Sequence, residues 1–230
     1  MDGRRIRFLG SCFAALLGAC TLATLQGVPA LQQRDLARIR DVHKRLYHEF
    51  AHRLPAGEGQ KTEVYYPLPL QAWPQNDSAE GYFHELVCHA DAAVIGVISS
   101  AQSDLTDDRS LVFTDYEVEV SEVIVDKPGG LSNGQVIVVS RPGGRVSVPG
   151  RQLVAKLDAF KQLEEGSTYL LFLNSTPAGE YQTRLSGGGF LVTGDRLVLQ
   201  SRQFLPASVA SLSLREAIAA ILAAAQSACR

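Results

Sequence analysis

Apolar residues recur at Leu36, Ile39, Val42, Leu46, Tyr47, Phe50 and Leu54, the three- and four-residue spacing of an amphipathic helix over residues 31–54. Pro55 and Gly57 end it. Residues 55–85 carry Pro55, Pro67, Pro69 and Pro74 without a sustained period, which predicts an extended linker. The pattern then changes. Ala92 to Ser100 and Leu111 to Val125 are rich in β-branched residues, and Tyr116-Glu117-Val118-Glu119-Val120 alternates apolar with polar, as half-buried strands do. A polar tip from Ser103 to Ser110 joins these two as a hairpin. Lys127-Pro128-Gly129-Gly130 and Asn133-Gly134 supply a turn before a third strand, Gln135 to Ser140.

A glycine-rich turn is expected at Arg141-Pro142-Gly143-Gly144, and a short helix within Gln152 to Glu165. Thr168 to Asn174 is a continuous apolar run suited to a central strand. Tyr181 to Leu185, Phe190 to Val192 and Leu197 to Gln200 are further strands. Ser213 and Glu216 form a capping box that starts a last helix, through Ile218, Ile221 and Leu222 toward Cys229. The fold class is therefore mainly β, with one domain over residues 86–230.

Residues 1–30 read as an address rather than a fold. Arg4, Arg5 and Arg7 precede an uncharged stretch from Phe8 to Leu31, the basic and apolar regions of an export signal. Within it Leu17-Gly18-Ala19-Cys20 has the form of a bacterial lipobox, in which the Cys20 thiol is diacylated and anchors the mature chain to a membrane. Two other outcomes stay open: ordinary cleavage after Val28-Pro29-Ala30, and retention of the apolar stretch as a membrane span. In each case the expected location is outside the cytoplasm, periplasmic, membrane-anchored or secreted.

Charge adds little. The 22 Lys and Arg nearly balance 24 Asp and Glu, so no general cationic field favours nucleic acid. Of four cysteines, Cys12 and Cys20 lie in the signal, leaving Cys88 and Cys229 as an even pair in an exported domain, which predicts a disulfide. Closing so long a loop would stabilise the fold by roughly 4 to 5 kcal/mol in the chain-entropy model.

The order of elements resembles the netrin-like domain shared with the tissue inhibitors of metalloproteinases, a five-stranded barrel of the oligonucleotide/oligosaccharide-binding type flanked by helices. The residues that carry the resemblance are Cys88-His89-Ala90-Asp91 before strand one, Thr114-Asp115-Tyr116-Glu117-Val118 in strand two and Tyr169-Leu170-Leu171-Phe172-Leu173 in strand four. Ser211-Leu212-Ser213-Leu214 and the helix ending at Cys229 complete it. In that family a cysteine before strand one pairs with one after the last helix, as Cys88 and Cys229 would. The inhibitors chelate zinc through an N-terminal cysteine and a second one two residues on. This domain starts without such a pair, so protease inhibition does not carry over. The resemblance implies a binding or interaction module, with an unnamed protein or envelope component as partner and without a cofactor. On the barrel, the surface near Tyr116 or the Arg141 to Arg145 turn is the expected place for a ligand.

One motif points elsewhere. His48-Glu49-Phe50-Ala51-His52 spells H-E-x-x-H, and helical spacing puts His48 and His52 on one face, able to share a zinc while Glu49 acts as general base. This is the alternative reading, a zinc metallopeptidase; no further signature selects the third ligand such a zinc needs. Arg45 just upstream, and a helix that directly follows the signal, favour instead a solvated helix face. Asp104, Asp107 and Asp108 lack the alternating spacing and bidentate glutamate of a calcium loop.

Overall fold

The computed structural model describes residues 61–66 and 76–230, apart from 108, 110, 158–160, 177–179, 184–187, 201–204, 228 and 230. The export segment, Cys20, the helix predicted over 31–54 and the H-E-x-x-H motif lie outside the described residues. The elements in chain order are β1 (Lys61–Tyr66), α1 (Ala79–His89), β2 (Ala92–Leu105), β3 (Val112–Asp126), β4 (Val136–Pro142), β5 (Gly144–Val148), β6 (Arg151–Leu157), β7 (Thr168–Ser175), β8 (Tyr181–Thr183), β9 (Gly189–Thr193), β10 (Arg196–Leu199), α2 (Ala207–Ala210) and α3 (Leu214–Gln226). No helix among the described residues is long and apolar enough to cross a membrane.

The predicted hairpin forms from β2 and β3, and β4 adds to it antiparallel. β8 runs parallel to β4 and antiparallel to β7, and β7 pairs with β2, so the sheet closes as β7-β2-β3-β4-β8 and back to β7. This is the five-stranded barrel expected. One edge of β7 is divided between two partners: Tyr169 to Leu171 pair with β9, while Leu173 to Ser175 pair with β8. β9 and β10 therefore run off the barrel as a sheet extension.

Closure needs bending. Irregularities in the β2–β3 register after Ala93, Ile95 and Ile98 supply it, as bulges do. Gly96 lies at the second of them, where an added Cβ would meet Val118 Cγ1 at 2.5 Å and the Glu119 carbonyl oxygen at 2.9 Å. Only glycine permits that approach.

The continuous apolar run of β7 is explained by burial on both faces. Tyr169, Leu171 and Leu173 fill the barrel with Val94, Ile98, Tyr116, Val118 and Val139. The alternate residues, Leu170 and Phe172, face a second core beneath the helices, with Phe83, Leu86, Phe190, Ala217 and Ile221. Phe83 stacks on Phe172 with ring centroids 6.3 Å apart, and Phe190 meets Phe172 edge-on. Ser78 caps α1 by accepting from Gly81 N at 3.1 Å. The predicted capping box of α3 forms, with Ser213 Oγ accepting from Glu216 N and the Glu216 carboxylate accepting from Ser213 N.

Three expectations are corrected. The segment read as a short helix, Gln152 to Glu165, begins instead as strand β6, antiparallel to β5 and parallel to β1. Its apolar run fits either element, and hairpin pairing across Pro149-Gly150 decides. Arg141 and Pro142 belong to β4, and the chain turns at Gly143. The stretch 55–85 holds β1 and most of α1, whose Tyr82 and Phe83 are part of the helix-covered core. A third small core joins Leu111, Val112 and Phe113 of the hairpin to Leu153 and Ala155 of β6.

Candidate functional site

Tyr116, expected at a surface patch, is only 1% exposed and points into the barrel. Arg141, at the start of the other expected patch, is 5% exposed. On β4, Ile137 and Val139 face the barrel core, and strand alternation sends Arg141 to the same side. It lies opposite Thr114 in the β3–β4 register. The two expected surface residues are thus brought together inside one end of the barrel, with Thr114 and Tyr169. The Arg141 charge acts on both phenols, lowering their proton affinity, but burial dominates and pushes Tyr116 and Tyr169 above the ordinary tyrosine value. At neutral pH both are protonated.

The segment between β6 and β7 closes this end. Leu163 is buried in the barrel core. The Tyr116 hydroxyl donates to Gln162 Oε1, and the Tyr169 hydroxyl accepts from Glu164 N at 2.9 Å. Gly166 N donates to the Ile98 carbonyl at 2.8 Å, Ile98 N to the Ser167 carbonyl at 3.0 Å, and Ala101 N to Glu165 Oε1 at 2.9 Å. Beside it, Thr114 Oγ1 donates to the Gly143 carbonyl at 2.7 Å and shares a hydrogen bond with Ser103 Oγ at 2.8 Å. β5 starts directly over these hydroxyls. An added Cβ at Gly144 would lie 2.2 Å from Thr114 Oγ1, and its φ of +132° is itself a glycine conformation. The result is a buried end of the barrel that holds an arginine, two phenols and a hydrogen-bonded hydroxyl pair.

A second polar region surrounds the start of β2. Cys88 and His89 occupy the last turn of α1, just before β2, and Cys88 is bonded to Cys229 with Cα atoms 5.3 Å apart. The predicted bridge therefore forms, joining the residue group before the first barrel strand to the chain beyond α3. One helical turn before Cys88, the His84 ring approaches its sulfur, with Nε2 at 3.6 Å. Lys127 Nζ donates to the carbonyls of Val87 at 2.7 Å and Cys88 at 3.3 Å, placing a cation where the helix leaves acceptors unsatisfied. Asp91 Oδ2 accepts from Ser175 N at 2.8 Å and from Ser175 Oγ at 2.6 Å, and these bonds hold its carboxyl below the ordinary carboxylate range.

Among the described residues, no group of three or more His, Cys, Asp and Glu side chains is placed to hold a metal ion. His48, Glu49 and His52 lie outside those residues. What sequence reasoning missed was the burial of Arg141 and the contact of His84 with Cys88. The second had a readable signal, a spacing of four within a helical apolar pattern of Tyr82, Phe83, Leu86 and Val87. Compared with known protein families and with characterised proteins, the sequence matches none.

Proposed function

We propose that this chain is an exported binding module, tethered to the membrane through a lipid on Cys20, whose netrin-like barrel engages a protein or other envelope component without performing chemistry of its own. The observation that carries this reading is the Cys88–Cys229 bridge on a closed five-stranded ring, the cysteine placement that the family resemblance implies. The polar groups inside the barrel support it too. Tyr116, Tyr169 and Thr114 there are engaged in hydrogen bonds that close the barrel end. On this reading the barrel and its helix cover form a platform, and a partner is recognised on its outer surface.

The test compares the purified mature chain with His48→Ala and Glu49→Gln variants for zinc content and peptide hydrolysis. The binding-module reading expects no stoichiometric zinc and no hydrolysis in any of them. Zinc lost in His48→Ala together with hydrolysis lost in Glu49→Gln would make the chain a peptidase. Anchoring is read separately: Cys20→Ala should move the protein from the membrane to the soluble envelope fraction, and unchanged membrane association would contradict lipidation at that residue. Cross-linking in intact envelopes, followed by identification of the linked partner, distinguishes a ligand receptor from a fixed part of an assembly.

A further inference from the structure

The bridge between α1 and the chain end has asymmetric surroundings. Cys229 is exposed, beyond the last helical residue of α3, whereas Cys88 is half-buried on α1. The His84 imidazole lies 3.6 Å from the Cys88 sulfur, and the Lys127 ammonium reaches the Cys88 carbonyl. The remaining titratable groups on this helix are Glu80, Tyr82 and Glu85, all near His84 along the chain, and His89 after Cys88. Cys229 is the more exposed half of the bridge, and Cys88 is the half whose sulfur has an imidazole nitrogen beside it. Thiol–disulfide exchange is faster when the leaving sulfur is stabilised as a thiolate, and access decides which sulfur is attacked.

We infer that the Cys88–Cys229 bridge is a thiol-labile latch, opened by a dithiol reductant at Cys229 with Cys88 leaving beside His84. In the first step a reductant thiolate bonds to the Cys229 sulfur, the protein S–S bond breaks, and its electron pair passes to the Cys88 sulfur, where His84 donates a hydrogen bond to the thiolate. The second thiolate of the reductant then attacks its own sulfur in the mixed disulfide, releasing the Cys229 thiolate and leaving the reductant as a cyclic disulfide. Two electrons pass to the protein, and the dithiol is oxidised by two. On opening, α3 keeps its apolar contacts through Ala217, Ile221 and Ala224 in the helix-covered core, while the fold loses the stabilisation that the closed loop contributes. The bond lost is the tie between the ends of α1 and α3. The device therefore changes the surface at that corner.

Glutathione, a monothiol, traps the first step. Native protein is exposed to it briefly, alkylated with iodoacetamide and mapped without reduction. The latch predicts glutathione on Cys229 and the alkyl group on Cys88. It also predicts that His84→Gln slows native-state cleavage roughly threefold or more, while cleavage of the unfolded chains proceeds at equal rates. Glutathione found on Cys88, an unchanged rate in His84→Gln, or a native bridge that opens only at the rate of global unfolding would each overturn the inference. If His84→Gln does not fold, the position of the adduct on the unaltered protein still decides.

Discussion

The two faces of β7 are buried in different ways. Leu170 and Phe172 look out into a layer that is almost wholly apolar, where Phe83, Phe172 and Phe190 pack ring against ring beneath α1 and α3. Tyr169, Leu171 and Leu173 look into the barrel, whose one end contains Arg141, Tyr116 and Thr114. The outer layer is not closed by backbone pairing; side-chain burial and one covalent tie hold its helices down. The inner core is enclosed by a continuous ring of strand pairing, and the Tyr116 and Thr114 hydroxyls buried at its end are hydrogen-bonded. The comparison teaches that the helix layer depends on its side chains and its bridge, and the barrel on its closed ladder.

The largest effect should come from breaking the covalent tie. Cys229→Ala is expected to lose about 5 kcal/mol as an upper figure for so long a loop, measured by urea denaturation against the oxidised protein. A loss near zero would mean that apolar packing alone seats α3. Next is the apolar layer itself: Phe172→Ala removes a fully buried ring and should cost about 3 to 5 kcal/mol, with no change in the barrel's own register. Inside the barrel the expected penalty is smaller. Tyr116→Phe keeps the ring and deletes the hydroxyl that bonds Gln162, which should cost about 1 kcal/mol and loosen the closing segment, seen as faster amide exchange at Gly166.

The smallest effect concerns the junction of the two regions. Asp91 has a lowered folded-state pKa, so its stabilising contribution is present above the unfolded value of about 3.9 and is lost as pH falls through the lower folded value. Asp91→Asn should therefore be modestly less stable than the parent at neutral pH, with the difference vanishing below that folded value. A difference that persisted in strong acid would show that the amide disturbs the Ser175 contacts for reasons other than charge.

Much of this architecture is legible in the sequence because pattern and environment agree there. Tyr116 to Val120 alternate and sit in a half-covered strand; the run from Tyr169 to Leu173 carries no charge and is buried on both faces; Ser213 and Glu216 cap the helix they announce. Legibility fails where a local pattern is shared by two elements. β6 has an apolar run too short to separate strand from helix, and its identity comes from β5 and β1, partners distant in pattern. α1 was obscured by Gly81 in its first turn and by the prolines upstream, although Tyr82, Phe83, Leu86 and Val87 hold helical spacing. Arg141 was expected on a surface turn by analogy of fold, whereas its pairing opposite Thr114 in β4 places it inside the barrel. The cysteine pair was the most informative local signal for the site, since two cysteines outside the predicted signal leave one pairing.

The most direct test of the account is peptide mapping without reduction, after rapid alkylation, of the protein taken from the envelope of cells grown without added thiol. A disulfide-linked Cys88 and Cys229 fragment, together with a lipid-modified Cys20 at the mature N-terminus, is the predicted result. Two alkylated thiols at Cys88 and Cys229 and an intact leader would contradict both the bridged barrel and its tether.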